Sequence, residues 1–241
     1  KKRGIAVAII ASGNYLSGVI WSPFIAYILT SGDWREIYLI LALVISFVVI
    51  PLSFYLRKKT TEIRSAPSDI KNYLQTPKIA ISGRHLQFFL GVAGVGCCIA
   101  MAMPQVHIVA YCVGLGYGPT IGAEMLSLML ACGVISRISF GICADRLGGF
   151  YTLILSSTLQ MLSLFLFLPF NGMVSLYVVS AIFGLSQGGI VPSYTIVVRE
   201  FLPAHEAGQR IGIVLMLTIF GMAIGGWMSG WIFDQTGSYQ I

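Results

Sequence analysis

Long apolar segments separated by short polar turns dominate the pattern of this chain. Each segment is long enough to cross about 30 Å of hydrocarbon as a helix, at 1.5 Å per residue. The segments are 5–30, 37–56, 86–113, 123–144, 150–170, 174–198 and 211–233. The pattern therefore predicts seven membrane-spanning helices, with Pro104 breaking the third and Pro192 lying inside the sixth.

The composition agrees with a chain whose solvent is a lipid bilayer. Hydrophobic residues make up 56% of the sequence and charged residues only 10%, against about 25% charged residues in soluble domains. We therefore predict an all-α, multi-pass membrane protein. None of the five cysteines belongs to a CxxC pair, so neither a metal site nor a disulfide framework is predicted. No cofactor is expected.

Positive charge predicts the orientation of the chain. The only long polar segment, 57–85, holds seven basic and two acidic residues and reads as a cytoplasmic linker. It lies between two spans and lacks interleaved aromatic residues, so nucleic acid is not expected as a partner. With the N-terminal end inside, thirteen Lys and Arg residues fall on the cytoplasmic side and only Arg35 lies opposite. The predicted location is the plasma (inner) membrane.

Arg137 is a lone charge within the fourth predicted span. Gly141 and Asp145 follow it at intervals of four residues, so the three share one helix face. A charged side chain at this depth is costly and normally faces a water-filled cavity or a partner. Arg137 is therefore a candidate substrate-binding residue. The alternatives are an arginine that reaches the headgroups or one that pairs with Asp145.

Four other polar residues lie within predicted spans and are weaker candidates for substrate binding. His107 follows the predicted break at Pro104, and its imidazole suits either substrate or a proton, although a hydrogen bond near the outer rim is the alternative. Asn14, Gln187 and Tyr194 are placed to line a midplane cavity. For each of these three residues, a hydrogen bond between helices is the simpler interpretation.

An internal repeat explains the odd number of spans. Three glycines of the first span recur 208 residues later in the seventh, and both sets follow a basic residue. Six helices therefore separate equivalent positions, which predicts two six-helix halves related by an axis along the membrane normal. The paired glycines are Gly4 with Gly212, Gly13 with Gly221, and Gly18 with Gly226.

The turn G141-ICA-D145-R146-L147-G148 resembles the GxxxDRxG signature of the major facilitator superfamily of secondary transporters. In that family the signature lies between the second and third helices of each half. The resemblance implies part of a 12-helix fold, from about the fifth to the eleventh helix. Residues 1–56 would be the last two helices of the N-terminal half, 57–85 the linker between halves, and 86–241 the first five helices of the C-terminal half. Four helices would precede the chain and one would follow it.

Within that family, KKRGIAVAIIASG, GDWR, PQVH, GLSQGGIVP and DQTGSY resemble the branch of monocarboxylate transporters and the oxalate/formate exchanger. The resemblance implies that Arg137 binds a substrate carboxylate, and a guanidinium matches that geometry. Two differences limit this resemblance. Gly133 stands where monocarboxylate transporters usually have aspartate, and the seventh span lacks the lysine of the oxalate/formate exchanger. A single cation fits a monoanion better than a dicarboxylate.

The turn after the fourth span is expected to gate the conformational change. Its charged and small residues can hold neighbouring helix ends together at the cytoplasmic side. The candidate gating residues are Gly141, Asp145, Arg146 and Gly148.

The sequence therefore predicts a monomeric secondary active transporter that moves a small organic anion, with protons as a candidate coupling ion. A transporter of another solute, such as a drug, sugar or metabolite exporter, is the first alternative. A seven-span receptor is the second, although the last span has no lysine for a retinal Schiff base. An enzyme is not expected, since His85, His107 and His205 lie in different segments and form no metal motif.

Overall fold

The computed structural model describes residues 3–30, 32–56 and 82–239, so positions 57–81 of the predicted linker lie outside the described residues. Over these ranges the chain is helical, apart from short turns, with a 3₁₀ turn at Ala204–Glu206. The α-helices are α1 (Arg3–Leu29), α2 (Trp34–Leu56), α3 (Gly83–Gly114), α4 (Pro119–Leu147), α5 (Gly149–Phe165), α6 (Met173–Gln187), α7 (Ile190–Phe201) and α8 (Ala207–Thr236).

Six helical segments in the described part of the chain are long and apolar enough to cross a membrane. The predicted fifth span is shorter than expected, because α5 has 17 residues and ends at Phe165. Pro169 disfavours the helical conformation at the residue before it, and the chain leaves the helix in turns at 166–169. The six segments are Gly4–Leu29, Trp34–Tyr55, Gly83–Gly114, Pro119–Leu147, Met173–Phe201 and Ala207–Thr236.

The predicted break at Pro104 is wrong. Helix α3 runs without interruption over 32 residues, with Pro104 inside it. Proline removes one hydrogen bond to the carbonyl four residues earlier. In hydrocarbon, a full break would free several more backbone groups with no water to bind them, so continuing the helix costs less.

The sixth predicted span is interrupted instead, at Gly188 and Gly189, where α6 ends and α7 begins. Pro192 lacks the N–H that would bond the carbonyl of Gly188. A Cβ at Gly188 would lie 2.6 Å from the carbonyl oxygen of Gly133 and 2.8 Å from the backbone nitrogen of Arg137. The α6–α7 junction therefore packs directly against the part of α4 that carries Arg137.

The chain divides into two compact units, one of Lys1–Pro23 with Lys78–Ile241 and one of Phe24–Pro77. This grouping differs from the division at residue 56 expected from the resemblance, which stays a prediction. In the second unit, the described residues include α2, which is apolar and largely exposed. Arg35 there contacts Asp33 at 2.9 Å and lies 4.5 Å from the centroid of the Trp34 ring.

In the first unit, α5 shows the inverted polarity of a helix that faces lipid. Its buried residues include a polar stripe, whereas Tyr151 and Leu162 are 68% and 53% exposed. Four hydroxyl and amide side chains thus face the neighbouring helices and the apolar side chains face outward. The stripe consists of Thr152, Ser156, Gln160 and Ser163.

Helices α3 and α8 pack through small residues. A Cβ at Gly221 would lie 2.9 Å from Cα of Val95, and one at Gly225 would lie 2.8 Å from Cα of Ile99. Inside a bilayer the hydrophobic effect gives little drive for helix association. The backbone van der Waals contacts that this close approach allows stabilise the helix pair instead.

Candidate functional site

Helices α1 and α4 form an antiparallel pair that carries most of the predicted site. A Cβ at Gly141 would lie 2.6 Å from Cβ of Ala8, and one at Gly133 would lie 2.6 Å from Cδ2 of Tyr15. Further along, the Ser127 hydroxyl donates to the carbonyl of Val19 at 2.8 Å. We call this contact the α1–α4 seam. Arg137, Gly141 and Asp145 all face it, as their four-residue spacing predicts.

Asp145 caps the N-terminal end of α1. Its Oδ1 accepts a hydrogen bond from the backbone N–H of Gly4 at 2.7 Å, and its Oδ2 accepts one from Ile5 at 3.2 Å. The first N–H groups of a helix have no intrahelical acceptor and carry the positive end of its dipole. A carboxylate from α4 is therefore bound by charge and by hydrogen bonds to the start of α1.

A second carboxylate, Glu200 at the end of α7, binds the start of α5. Its two oxygens accept from the Gly149 N–H at 3.1 and 3.0 Å. Gly148 allows the sharp turn before α5, since its φ of +87° favours glycine. Arg146 beside this turn is exposed and forms no ion pair within the described ranges. Sequence reasoning missed Glu200, whose acidic position at a helix end was the available signal.

Arg137 is 4% exposed and carries its charge inside the seam. One terminal nitrogen, Nη1, donates a short hydrogen bond to the carbonyl of Ala11, and Nε is buried with no acceptor among the described residues. No described carboxylate forms an ion pair with it, Asp145 included. The alternative in which Arg137 pairs with Asp145 is thus not the arrangement in this structure.

The ring of Tyr15 covers the guanidinium of Arg137, with Cζ 3.7 Å from the ring centroid. Tyr15 is 6% exposed, and its ring occupies the space left by the missing side chain of Gly133. Among the described residues, its hydroxyl donates only to the thioether sulfur of Met101 on α3, at 3.8 Å. A thioether is a weak acceptor, so this hydroxyl has no strong partner in the described part of the chain.

Gln187 lies at the end of α6 and is fully buried. Its Oε1 accepts from Nε2 of Gln105 on α3 at 2.9 Å, whereas its own Nε2 has no acceptor among the described residues. Gln105 is one helical turn from Met101, so α3 brings this amide pair next to the Tyr15 contact. Sequence reasoning missed Gln105 as a site residue, although it lies within the PQVH segment.

The structure does not bring the remaining candidates into contact with Arg137. Tyr194 is buried in a core cluster that also includes Leu90, Leu153 and Met101. Asn14 is exposed, and its backbone carbonyl accepts from the Ser17 hydroxyl at 2.8 Å. Both stay predictions as substrate-binding residues.

His107 belongs to a separate cavity of about 160 Å³. Its Nε2 lies 2.8 Å from the carbonyl of Gly226 and its Nδ1 lies 3.1 Å from the Tyr239 hydroxyl. Since a carbonyl can only accept, Nε2 carries the hydrogen and Nδ1 accepts from Tyr239. Burial raises the pKa of the Tyr239 hydroxyl, with a smaller contribution from Asp234. His107 lies six residues beyond Met101, about 9 Å further along α3.

The arrangement offers several hydrogen-bond donors in a largely buried setting. The groups are the guanidinium of Arg137, the phenol of Tyr15, the buried amide of Gln187 and the half-buried amide of Gln105. Nε of Arg137 and Nε2 of Gln187 have no acceptor among the described residues. The described residues contain no group of three His, Cys, Asp or Glu that could hold a metal ion.

Known proteins similar to this chain were found among transporters. The family model of the Major Facilitator Superfamily matches residues 1–226. Monocarboxylate transporter 13 of Rattus norvegicus is 24% identical over 99% of this chain and 55% of its own length. The Agnestins efflux protein of Paecilomyces divaricatus is 24% identical over 92% of this chain and 50% of its length.

An MFS-type transporter of Aspergillus fumigatus is 23% identical over 95% of this chain and 57% of its own length. The chain thus spans about half the length of these relatives. The family match and the six long apolar helices in the described part of the chain also overturn the alternative of a seven-span receptor. This multi-pass membrane chain belongs to the Major Facilitator Superfamily, a family of transmembrane transporters.

Proposed function

We propose that the protein is a secondary active transporter that moves a small organic anion, a monocarboxylate, by alternating access. The observation that carries this proposal is Arg137, a buried guanidinium with an open Nε donor and no carboxylate partner among the described residues. An unpaired buried charge is costly, so its natural complement is an anion that arrives from outside the chain.

The chemistry of the guanidinium favours a carboxylate. Its donors form a planar fork that matches two carboxylate oxygens, and it stays charged when desolvated. Among the described residues, one of these donors is bound by a backbone carbonyl, that of Ala11, and Nε has no acceptor. The described part of the site supplies a single cation, which supports a monoanion rather than a dicarboxylate.

Alternating access requires contacts that form in one state and open in another. The α1–α4 seam supports this role, because Asp145 and Arg137 bind α1 through hydrogen bonds rather than through an apolar core. Gly141 and Gly148 permit the close seam and the turn beside it, with Arg146 exposed next to them. Protons are the proposed coupling ion, and we propose a monomer in the plasma (inner) membrane with residues 57–85 in the cytoplasm.

A second candidate function is efflux of a larger metabolite. The Agnestins efflux protein matches this chain at an identity similar to that of the monocarboxylate transporter. The two functions differ in the size of the solute and the direction of transport. Uptake and efflux in proteoliposomes across a panel of acids from acetate to multi-ring aromatic acids, with and without a pH gradient, separate them.

Arg137→Lys tests the carboxylate site. Lysine keeps the positive charge and the reach but lacks the planar fork. We expect the variant, made in the full-length protein, to insert normally and to lose most anion transport. Binding should weaken by about 1.5 to 3 kcal/mol, the range for a hydrogen bond to a charged group. Affinity and initial uptake rate are measured per molecule at the membrane.

The matched control is Arg199→Lys, which makes the same exchange at an exposed position near the end of α7. It should transport at the wild-type rate. Wild-type affinity and rate in Arg137→Lys would refute the carboxylate site and leave Arg137 a structural residue of the seam.

A further inference from the structure

The Tyr15 hydroxyl is a buried donor directly beside Arg137. The ring that carries it lies against Gly133 on one side and the Arg137 guanidinium on the other. Its only acceptor among the described residues is the Met101 sulfur at 3.8 Å. A phenol buried in hydrocarbon normally finds a strong partner, because leaving a buried donor unsatisfied costs free energy.

Two donors without a strong acceptor among the described residues therefore lie at the seam, one from each helix. Nε of Arg137 belongs to α4 and the hydroxyl of Tyr15 belongs to α1, and the ring of Tyr15 lies over the guanidinium. A ligand that accepts from both must carry at least two acceptor oxygens on a compact group. A carboxylate does, since each oxygen accepts hydrogen bonds at about 2.8 Å.

We infer that Tyr15 is a second anion-binding residue, whose hydroxyl turns from Met101 to donate to the carboxylate held by Arg137. This inference rests on the proposed function and specifies its site. The bound anion then bridges α1 and α4 through one donor from each helix. Specificity for a carboxylate over a neutral amide of the same shape follows, because both contacts are donors and an amide nitrogen cannot accept them.

The test is Tyr15→Phe in the full-length protein, which keeps the ring on Arg137 and removes only the hydroxyl. Binding of radiolabelled acetate, lactate and benzoate is measured on purified protein by equilibrium dialysis. We expect affinity to fall about tenfold, as for the loss of one hydrogen bond to a charged acceptor. The matched control is Met101→Leu, which removes the thioether and should leave affinity unchanged or tighter.

A second variant approaches the same contact from α4. Gly133→Ala places a Cβ 2.6 Å from the Tyr15 ring and should displace it, so it should weaken binding like Tyr15→Phe. Gly13→Ala, where nothing lies within 4 Å of the added carbon, is its control.

The outcomes separate the two levels of the proposal. If Arg137→Lys loses the anion and Tyr15→Phe binds it with wild-type affinity, the role of Tyr15 is refuted and the anion site stands. Equal weakening in Tyr15→Phe and Met101→Leu also refutes it, since the effect then comes from packing. If wild-type protein binds none of the three acids, both proposals are overturned.

Discussion

Arg137 is a buried cation with one donor, Nε, that has no acceptor among the described residues. A desolvated cation–π contact contributes about 2 kcal/mol, and a hydrogen bond to a charged group about 1.5 to 3 kcal/mol. Removing a charge from water costs several kcal/mol even after relaxation. The Tyr15 ring and the Ala11 carbonyl thus supply a stabilisation comparable with that cost, while Nε has no acceptor among the described residues. An open donor on a buried cation is the feature expected of a binding residue.

Asp145 is the complementary case, because its two oxygens are satisfied by the start of α1. Asp145→Asn removes the charge and one of the two acceptors. We expect the seam to weaken by about 0.5 to 2 kcal/mol, the range for capping and dipole interactions, and the inward-facing state to become more populated. State-dependent accessibility of introduced cysteines measures the shift.

The control for this variant is Asp33→Asn, which removes a carboxylate from an exposed ion pair with Arg35. It should leave the two states as in the wild type. If Asp145→Asn shows the wild-type accessibility pattern at normal expression, Asp145 has no gating role.

At the scale of helices, small residues decide which elements approach. The α1–α4 seam is closest where Gly4 meets the carbonyl of Gly141 and where Ala8 meets Gly141. The α3–α8 contact follows the same rule at Gly221 and Gly225. The closest points of both contacts involve glycine, so each is sensitive to a single added carbon.

Gly141→Ala tests that sensitivity. The added Cβ would lie 2.6 Å from Cβ of Ala8, so the helices must separate. We expect a loss of about 1 to 3 kcal/mol, as for overpacking, seen as a lower melting temperature in detergent. Gly13→Ala is the control, because its Cβ meets nothing within 4 Å and alanine favours helix by about 1 kcal/mol. Equal melting temperatures would contradict the tight seam.

The start of α8 is tied to α3 by a charged group near the predicted cytoplasmic side. Nη1 of Arg210 donates to Oε1 of Gln87 at 2.7 Å, and Nη2 lies 2.5 Å from Oε2 of Glu206. The hydrogen bond and charge of Arg210 hold the pKa of the Glu206 carboxyl below its ordinary value of 4.5. The carboxylate therefore helps to orient the arginine that joins the two helices.

This contact predicts a pH dependence of stability. Since the pKa of Glu206 is lowered on folding, its contribution is complete above pH 4.5 and is lost as the pH falls through the lowered pKa. The melting temperature of Glu206→Gln should lie below that of the wild type at neutral pH and converge with it in acid. Glu36→Gln serves as the control, and a constant difference at every pH would contradict the assignment.

At the scale of the whole molecule, the chain covers about half of each relative, and its charges predict how it crosses the bilayer. A membrane-impermeant thiol reagent applied to intact cells should label a cysteine placed at Ser31 or Ser238 and should not label one at Ser68. The five native cysteines fall within membrane helices, which keeps the background low. Labelling at Ser68 would reverse the predicted orientation.

Periodicity made part of this structure predictable. The four-residue spacing of Arg137, Gly141 and Asp145 placed them on one face, because helical geometry alone fixes that relation. The lengths of the apolar segments likewise located the membrane spans, since the thickness of the bilayer sets the length of a spanning helix. The predicted break at Pro104 failed because a bilayer penalises freed backbone groups more than one lost hydrogen bond.

The partners of these residues could not be predicted in the same way. Tyr15 meets Arg137 across 122 positions of sequence, and no pattern within either helix specifies that pairing. Gln105 and Glu200 were missed for the same reason, because each acts on a residue of another helix. Gly133 was recognised only as a departure from aspartate, although its missing side chain is what admits the Tyr15 ring.

Because Arg137 and Asp145 lie far apart on α4, a small rotation of this helix about Arg137 produces a large displacement of Asp145. Their separation of eight positions corresponds to about 12 Å of helix, with the proposed anion-binding group at one end and the hydrogen bonds to Gly4 and Ile5 at the other. A rotation of α4 by about 10° about Arg137 would move Asp145 by about 2 Å. That displacement would carry its contacts of 2.7 and 3.2 Å beyond hydrogen-bonding range. Under the proposed function, we therefore expect that a small rotation of α4 around a bound carboxylate is enough to release the start of α1.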